Sequence, residues 1–472
     1  MMIWSQLLAV VFYFACLFII AMRQRNSATI GDYLTAGKNE GVWTTAFSER
    51  TTGESGWLLL GLTGLGFSLG AQSWWVVAGE TICCAFSWIV LAPRFKRLSE
   101  RMPDCLTMFD FFESATQDRS RTIRIVGTLI VLILVPMYLS AQFTAIGKAA
   151  KIFYGLDPVI GSIAGGILVC AYTSLGGFRA VARTDIVQGI FMLGGLLAAL
   201  AGVTLAFGRQ GFPWLEISGF WSVWGPNGLT IASACKCFSL FAIGFGFLGM
   251  PHLFVKFLAA RDVSVIKKGV PIAIMFTLIA DSSAVLIGMV GRQVFPQLAD
   301  AEFIFPQIAQ TYFPPFVSGL LFCSVLAATM STADSLLLFL ASSVVRDVYQ
   351  QLLNNKTSSQ AGLIRASQLI MVGATILGVW TSLGDSRLVF WMVLLAWSGL
   401  GAAFNPLLMM MVFNRPLTRT SAVAGIITGF TVAIGWYLFA GRMGIYEMIP
   451  GFLAGGLVMF LIGRTEAHEA IS

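Results

Sequence analysis

Charge is scarce in this chain. Only 11% of its 472 residues are Asp, Glu, Lys or Arg, against 57% hydrophobic, where a soluble domain carries roughly a quarter charged residues. That excludes an ordinary soluble enzyme and a disordered protein. Histidine is scarcer still: His252 and His468 are the two, so a Cys/His zinc spacing cannot be built. Of eight cysteines, Cys16, Cys83, Cys84, Cys170, Cys235, Cys237 and Cys323 lie in apolar stretches, where Cys behaves as a small hydrophobe rather than half of a disulfide. No basic residue precedes the first apolar run, which argues against a signal peptide. What is abundant is apolar sequence and glycine, 49 residues of it, a composition suited to close helix contact in lipid. The chain reads as an all-α polytopic membrane protein. Its net charge of +7 then belongs to loops on one membrane face and implies no nucleic acid.

A crossing helix needs about 20 apolar residues. Continuous rather than alternating apolar runs favour helices over a barrel. Thirteen spans are predicted, at 3–22, 41–70, 72–92, 123–147, 157–175, 185–207, 229–250, 269–291, 311–345, 362–383, 388–412, 421–440 and 446–463. With the N-terminus outside, 22 of the 30 Lys and Arg fall in cytoplasmic loops, Lys256, Arg124 and Lys356 among them. Six fall opposite, including Arg387 and Arg442, while Arg50 and Lys236 lie within spans. That asymmetry predicts a multi-pass protein of the cell (inner) membrane with its C-terminus cytoplasmic.

Spans 2 and 9 are too long for simple crossings and carry polar clusters. Span 2 is interrupted by Ser48-Glu49-Arg50-Thr51-Thr52-Gly53-Glu54-Ser55-Gly56, and span 7 by Gly244-Phe245-Gly246-Phe247-Leu248-Gly249-Met250-Pro251. Five spans separate the two breaks. That is the offset of an inverted repeat, in which broken helices form a midplane site. Gly244, Gly246 and Gly249 also spell GxGxxG, but that fingerprint needs a preceding strand, and a membrane helix cannot supply one. In span 9, Ala328, Ser331 and Thr332 share a helix face. Two hydroxyls with free carbonyls suit a hard, weakly held cation; hydroxyls that merely bond their own helix or a neighbour remain the alternative. Glu54, Glu80, Asp185, Lys236, Asp281, Asp334 and Arg50 are intramembrane ionisable groups, costly in hydrocarbon and therefore candidates for function. Asp185 also reads as an acid favoured at a helix N-terminus, and Glu80 as a partner for Lys236.

These residues sit in stretches that resemble the sodium:solute symporter family nearly end to end. The stretches are SGWLLLGL (55–62), YTSLGGFRAVARTDIVQ (172–188), SLFAIGFGFLGMPH (239–252), LAATMST (326–332), AWSGLGAAFNP (396–406) and GIYEMIPGF (444–452). The resemblance implies a LeuT-like five-plus-five inverted-repeat core. A first peripheral helix and loop would occupy 1–40, the repeats 41–207 and 208–412, and two more peripheral spans 413–472. It also implies sodium-driven uptake of a small organic solute, proline or another amino acid, with Na+ as coupling ion. No cofactor, catalytic residue or other metal is expected.

By position, the resemblance places sodium on the carbonyls of Thr51, Glu54 and Ala328 and the hydroxyls of Ser331 and Thr332. A second cation site, present in some members, falls on Asp185, Ser331, Asp334 and Ser335. Substrate contacts fall on Ser55, Gly56, Ile243, Phe247 and Pro251. The family's proline carriers have an Asp where Gly53 stands, a Trp and a Tyr at Ile243 and Phe247, and a Gln at Met250. Losing an indole and a phenol removes stacking area and a hydrogen bond, which leaves a larger or more apolar amino acid, or a small carboxylate, as alternatives. Proton coupling on the same fold is the rival to sodium, motivated by Glu54, Lys236 and the Asp185/Asp334 pair. Oligomeric state is not legible in the sequence.

Overall fold

Lipid offers backbone amides no partner, so apolar runs of this length close their hydrogen bonds internally as helices. The computed structural model describes residues 2–25, 27–102, 104–211, 215–353, 358–383, 389–440 and 444–469. Among these the β-pairing is a single isolated bridge between Glu40 and Ala260. Eleven helical segments are long and apolar enough to cross a membrane. Two of them are double. Val42–Ser99 turns back at Gly70 (φ 59°, ψ −133°), and Pro158–Arg209 turns at Gly177 (φ 58°, ψ −154°). Counted as two each, these give thirteen candidate crossings among the described residues, the number that the hydropathy predicts. Of the basic residues that set the predicted orientation, Lys356, Arg387 and Arg442 lie outside the described residues.

Several boundaries move, and the moves matter chemically. Helix resumes directly after Gly177, so Asp185 lies about two turns inside span 6 and is wholly buried. The helix N-terminus reading of Asp185 fails. Span 7 does not end at 250 but continues as a second helix, Pro251–Ala259. Pro251 takes its first position, where the missing N–H has no helical partner to lose. Lys256, counted above as a loop charge, is thus on a buried helix and 1% exposed. Arg124 is likewise no free loop charge: it is buried in the first turn of span 4, among Asp110, Glu113 and Asp347.

Span 9 forms the centre. Its helix Pro315–Ser342 runs on as π-helix to Leu352. In its apolar stretch 83% of the residues are buried, as in span 11, against 28% for span 1. It packs on Val42–Gly56 of span 2, on span 4, on the span 5–6 segment and on span 1. Small side chains at Ala327, Ala328, Ser331, Thr332 and Ala333 permit that density. Glycine sets the closest approach elsewhere: a Cβ on Gly66 would lie 2.5 Å from the Val285 carbonyl, and one on Gly288 2.1 Å from that of Thr63. Spans 2 and 8 therefore touch backbone to backbone.

Candidate functional site

The polar run of span 2 does break the helix. Ser55 adopts φ 53°, ψ −175° inside Val42–Gly56, a conformation that non-glycine residues adopt only where their surroundings hold them. Two contacts hold this one. Ser55 Oγ accepts from the Trp57 amide at 3.3 Å, and the Gly56 amide donates to Gln142 Oε1 of span 4 at 3.1 Å. The bend takes nearby carbonyls out of the i→i−4 ladder and frees them for other partners.

Span 7 breaks by a different route. Ile231–Phe241 tightens into a 3-10 stretch, Ala242–Leu248, followed by extended Met250 and the new helix at Pro251. Span 11 takes up two of the carbonyls at the break. Trp397 Nε1 donates to Ile243 O at 3.0 Å, and Asn405 Nδ2 to Phe245 O at 2.6 Å. Gly246 is where the indole passes: a Cβ there would sit 2.0 Å from Trp397 Nε1. The GxGxxG glycines are contact points of a membrane break. Trp397 and Asn405 both lie within the AWSGLGAAFNP stretch, so that motif marked them, but their partners were not readable from it.

The breaks meet at Gly53, where a Cβ would fall 2.7 Å from both Phe247 and Arg50 Nη2. The Arg50 guanidinium lies 4.2 Å over the Phe247 ring. Phe247 in turn meets Trp397 edge-on at 5.3 Å, and Tyr138 and His252 close the group at 5.9 Å from each other. Ser55, Gly56, Ile243, Phe247 and Pro251 are all buried around this junction. Arg50 also bonds Glu49 (2.9 Å) and Thr277 (2.7 Å) and faces Glu54 at 3.6 Å. One carboxylate oxygen each of Glu54, Glu80 and Asp281, from spans 2, 3 and 8, lies within 4.8 Å of the other two. Glu80 therefore does not pair with Lys236, which is exposed.

On the other side of span 2, the Ser331/Thr332 face of span 9 packs against Thr52. Thr332 Oγ1 donates to Thr52 O at 2.9 Å, and Ala328 O lies 3.4 Å from the same hydroxyl. Ser331 Oγ is fully buried and has no hydrogen-bond partner among the described residues. The residues named for a second cation site meet one turn further on. Asp334 accepts from Tyr172 OH at 2.6 Å and from Ser335 Oγ at 3.2 Å, and Ser335 Oγ lies 3.0 Å from Thr52 Oγ1. Asp185 accepts from Ser48. Between Asp185 and Ser335 stands Lys256, 3.5 Å from the first and 2.8 Å from the second. Sequence reasoning missed Lys256 because a nine-residue helix after a proline looks like the start of a loop.

Residues 33–429 match the model of the sodium:solute symporter family. The chain belongs to that family. A sodium/proline symporter of Staphylococcus aureus is 28% identical over 475 residues, covering 98% of this chain and 93% of the relative. Among solved structures, this family member superposes on the substrate-bound, outward-open state of a Na+-coupled sialic acid symporter with TM-score 0.75. The identity there is 18%, over 98% of each chain. It also superposes on Mhp1, a nucleobase-cation-symport-1 family transporter in a closed conformation, with TM-score 0.53 and 11% identity over 92% and 95% of the two chains. The fold is accordingly the LeuT-like inverted repeat with peripheral helices, in a multi-pass membrane transporter.

Proposed function

We propose that the chain imports a small organic solute, proline or a related amino acid, in symport with Na+ bound where span 9 meets broken span 2. One observation carries this reading: the Ser331 hydroxyl, buried and unpartnered, on the face whose next residue already bonds span 2. A buried hydroxyl without a partner is costly, and a small oxygen-seeking cation removes that cost. The ligands are the carbonyls of Thr51, Glu54 and Ala328 and the hydroxyls of Ser331 and Thr332. The solute lies at Ser55, Gly56, Ile243, Phe247 and Pro251, against the aromatic group of Tyr138, Phe247, His252 and Trp397. Aliphatic Ile243 and the phenyl of Phe247 favour an apolar solute surface.

Sodium tying span 2 to span 9 stabilises the kinked form that receives solute. By linkage, solute must then raise the affinity for sodium equally. With the N-terminus outside and the C-terminus inside, the membrane potential adds about 2.3 kcal/mol per charge per 100 mV. The repeats are 41–207 and 208–412, flanked by the peripheral segments 1–40 and 413–472. Proton coupling is the second reading, favoured by the buried Glu54, Glu80 and Asp281 group. Uptake of labelled proline and of other amino acids into proteoliposomes separates them. Accumulation driven by a sodium gradient and absent with a proton gradient alone supports sodium symport; undiminished uptake in sodium-free vesicles overturns it.

A further inference from the structure

The Asp185–Asp334 network offers a monovalent cation much that such an ion requires. It presents two buried carboxylates with hydroxyls from Ser48, Thr52, Tyr172 and Ser335, gathered from spans 2, 5, 6 and 9. What stands among them is the ammonium of Lys256, delivered by the second half of span 7. It donates to Ser335 Oγ at 2.8 Å, pairs with Asp185 Oδ2 at 3.5 Å and lies 4.8 Å over the Phe178 ring. Ser335 is thereby engaged on every side: its hydroxyl accepts from Lys256, donates to Asp334 and shares a hydrogen bond with Thr52 Oγ1.

We propose that Lys256 is a tethered cation filling the second cation position. This inference rests on the sodium reading above: the chain binds one mobile Na+, at the Ser331/Thr332 site, and carries its second positive charge covalently. An ammonium and a sodium ion compete for the same oxygens, and two like charges a few ångströms apart in a low-dielectric site repel strongly. The tether also joins the two sites. Lys256 reaches Ser335, Ser335 reaches Thr52 Oγ1, and the Thr52 carbonyl receives Thr332. Sodium arriving at Ser331 and Thr332 therefore acts on a network that ends on the second half of span 7.

Counting 22Na+ bound per chain on the purified protein in nanodiscs tests this. Wild type should bind one Na+ with a Hill coefficient of 1, and K256R should do the same. K256A should double the count to two, with methylammonium displacing one of them, and K256A/D185A should return it to one. Two sodium ions on wild type, or one on folded K256A, overturns the proposal while leaving symport standing. No sodium on wild type removes the sodium reading and this inference together. Should K256A not fold, purification in methylammonium supplies the missing charge, and the wild-type count still decides between one and two.

Discussion

Ser331 and Thr332 are sequence neighbours with different bonding, and their substitutions should separate. Thr332 already donates to Thr52 O, so T332A removes a helix–helix bond as well as a sodium ligand. Ser331 makes no such bond, so S331A removes only the ligand. A contact to a charged group is worth about 1.5 kcal/mol or more. S331A should therefore raise the sodium concentration for half-maximal uptake about tenfold without lowering thermal stability in sodium-free buffer, whereas T332A should raise that concentration and also lower thermal stability. Unchanged sodium dependence in S331A would remove Ser331 from the site. Cys105, the one cysteine outside the apolar stretches, is buried to 2% exposure and its thiol is pushed up to about 12 by burial. The thiolate is the reactive form, and it is scarce at pH 8. Maleimide should label Cys105 only after unfolding. Ser331, Thr332, Asp185 and Asp334 were legible because an ionisable or paired hydroxyl residue in an apolar run stands out. Their partners were not, because Lys256 meets Asp185 across 71 positions of chain.

At the scale of the element, the two broken helices were visible for different reasons. Span 2 announced itself by polarity and span 7 by glycine and proline. What polarity cannot show is how a break is sealed. Here the indole of Trp397 and the amide of Asn405 cap carbonyls of the Ala242–Leu248 stretch, from a span that hydropathy reads only as apolar. A buried carbonyl stripped of its donor costs about 1–3 kcal/mol. N405A should thus lower the midpoint of thermal unfolding measured in detergent. W397F strips the Ile243 carbonyl in the same way but keeps a ring against Phe247, so its loss should be no larger. A larger loss in W397F than in N405A would mean that Trp397 Nε1, not Asn405, closes the break. Span 7's second half escaped the sequence for a related reason: nine residues cannot cross a membrane alone, and a helix that short is credible only as the continuation of another.

Across the whole molecule, span 4 is gripped by charge at both ends. Near its start, Arg124 pairs with Asp110 at 2.8 Å and with Glu113 and Asp347, while Arg346 holds Asp110 from the other side at 3.2 Å. About 36 Å further along the helix, Lys148 pairs with Glu302 at 2.6 Å and Asp300 at 3.4 Å. The first grip joins span 4 to the base of span 9 through the short helix Met108–Thr116; the second joins it to the turn before Ile304. These grips act at opposite ends of span 4, and their burial says they differ in strength. Arg124 and Asp347 are each 1% exposed, whereas Lys148 is 12% exposed and its partners Glu302 and Asp300 are 3% and 23% exposed. Breaking a buried pair by removing one partner costs about 3–5 kcal/mol, enough to invert conformers a few kcal/mol apart. The Lys148 pairs are less fully buried, so their loss falls between that cost and the about 1 kcal/mol of an exposed pair. D347N should therefore increase hydrogen–deuterium exchange in Met108–Thr116 strongly and leave 298–303 unchanged. K148Q should do the reverse, more weakly. Equal changes at both ends in either variant would mean that the grips stabilise the bundle as a whole and do not govern its ends one at a time.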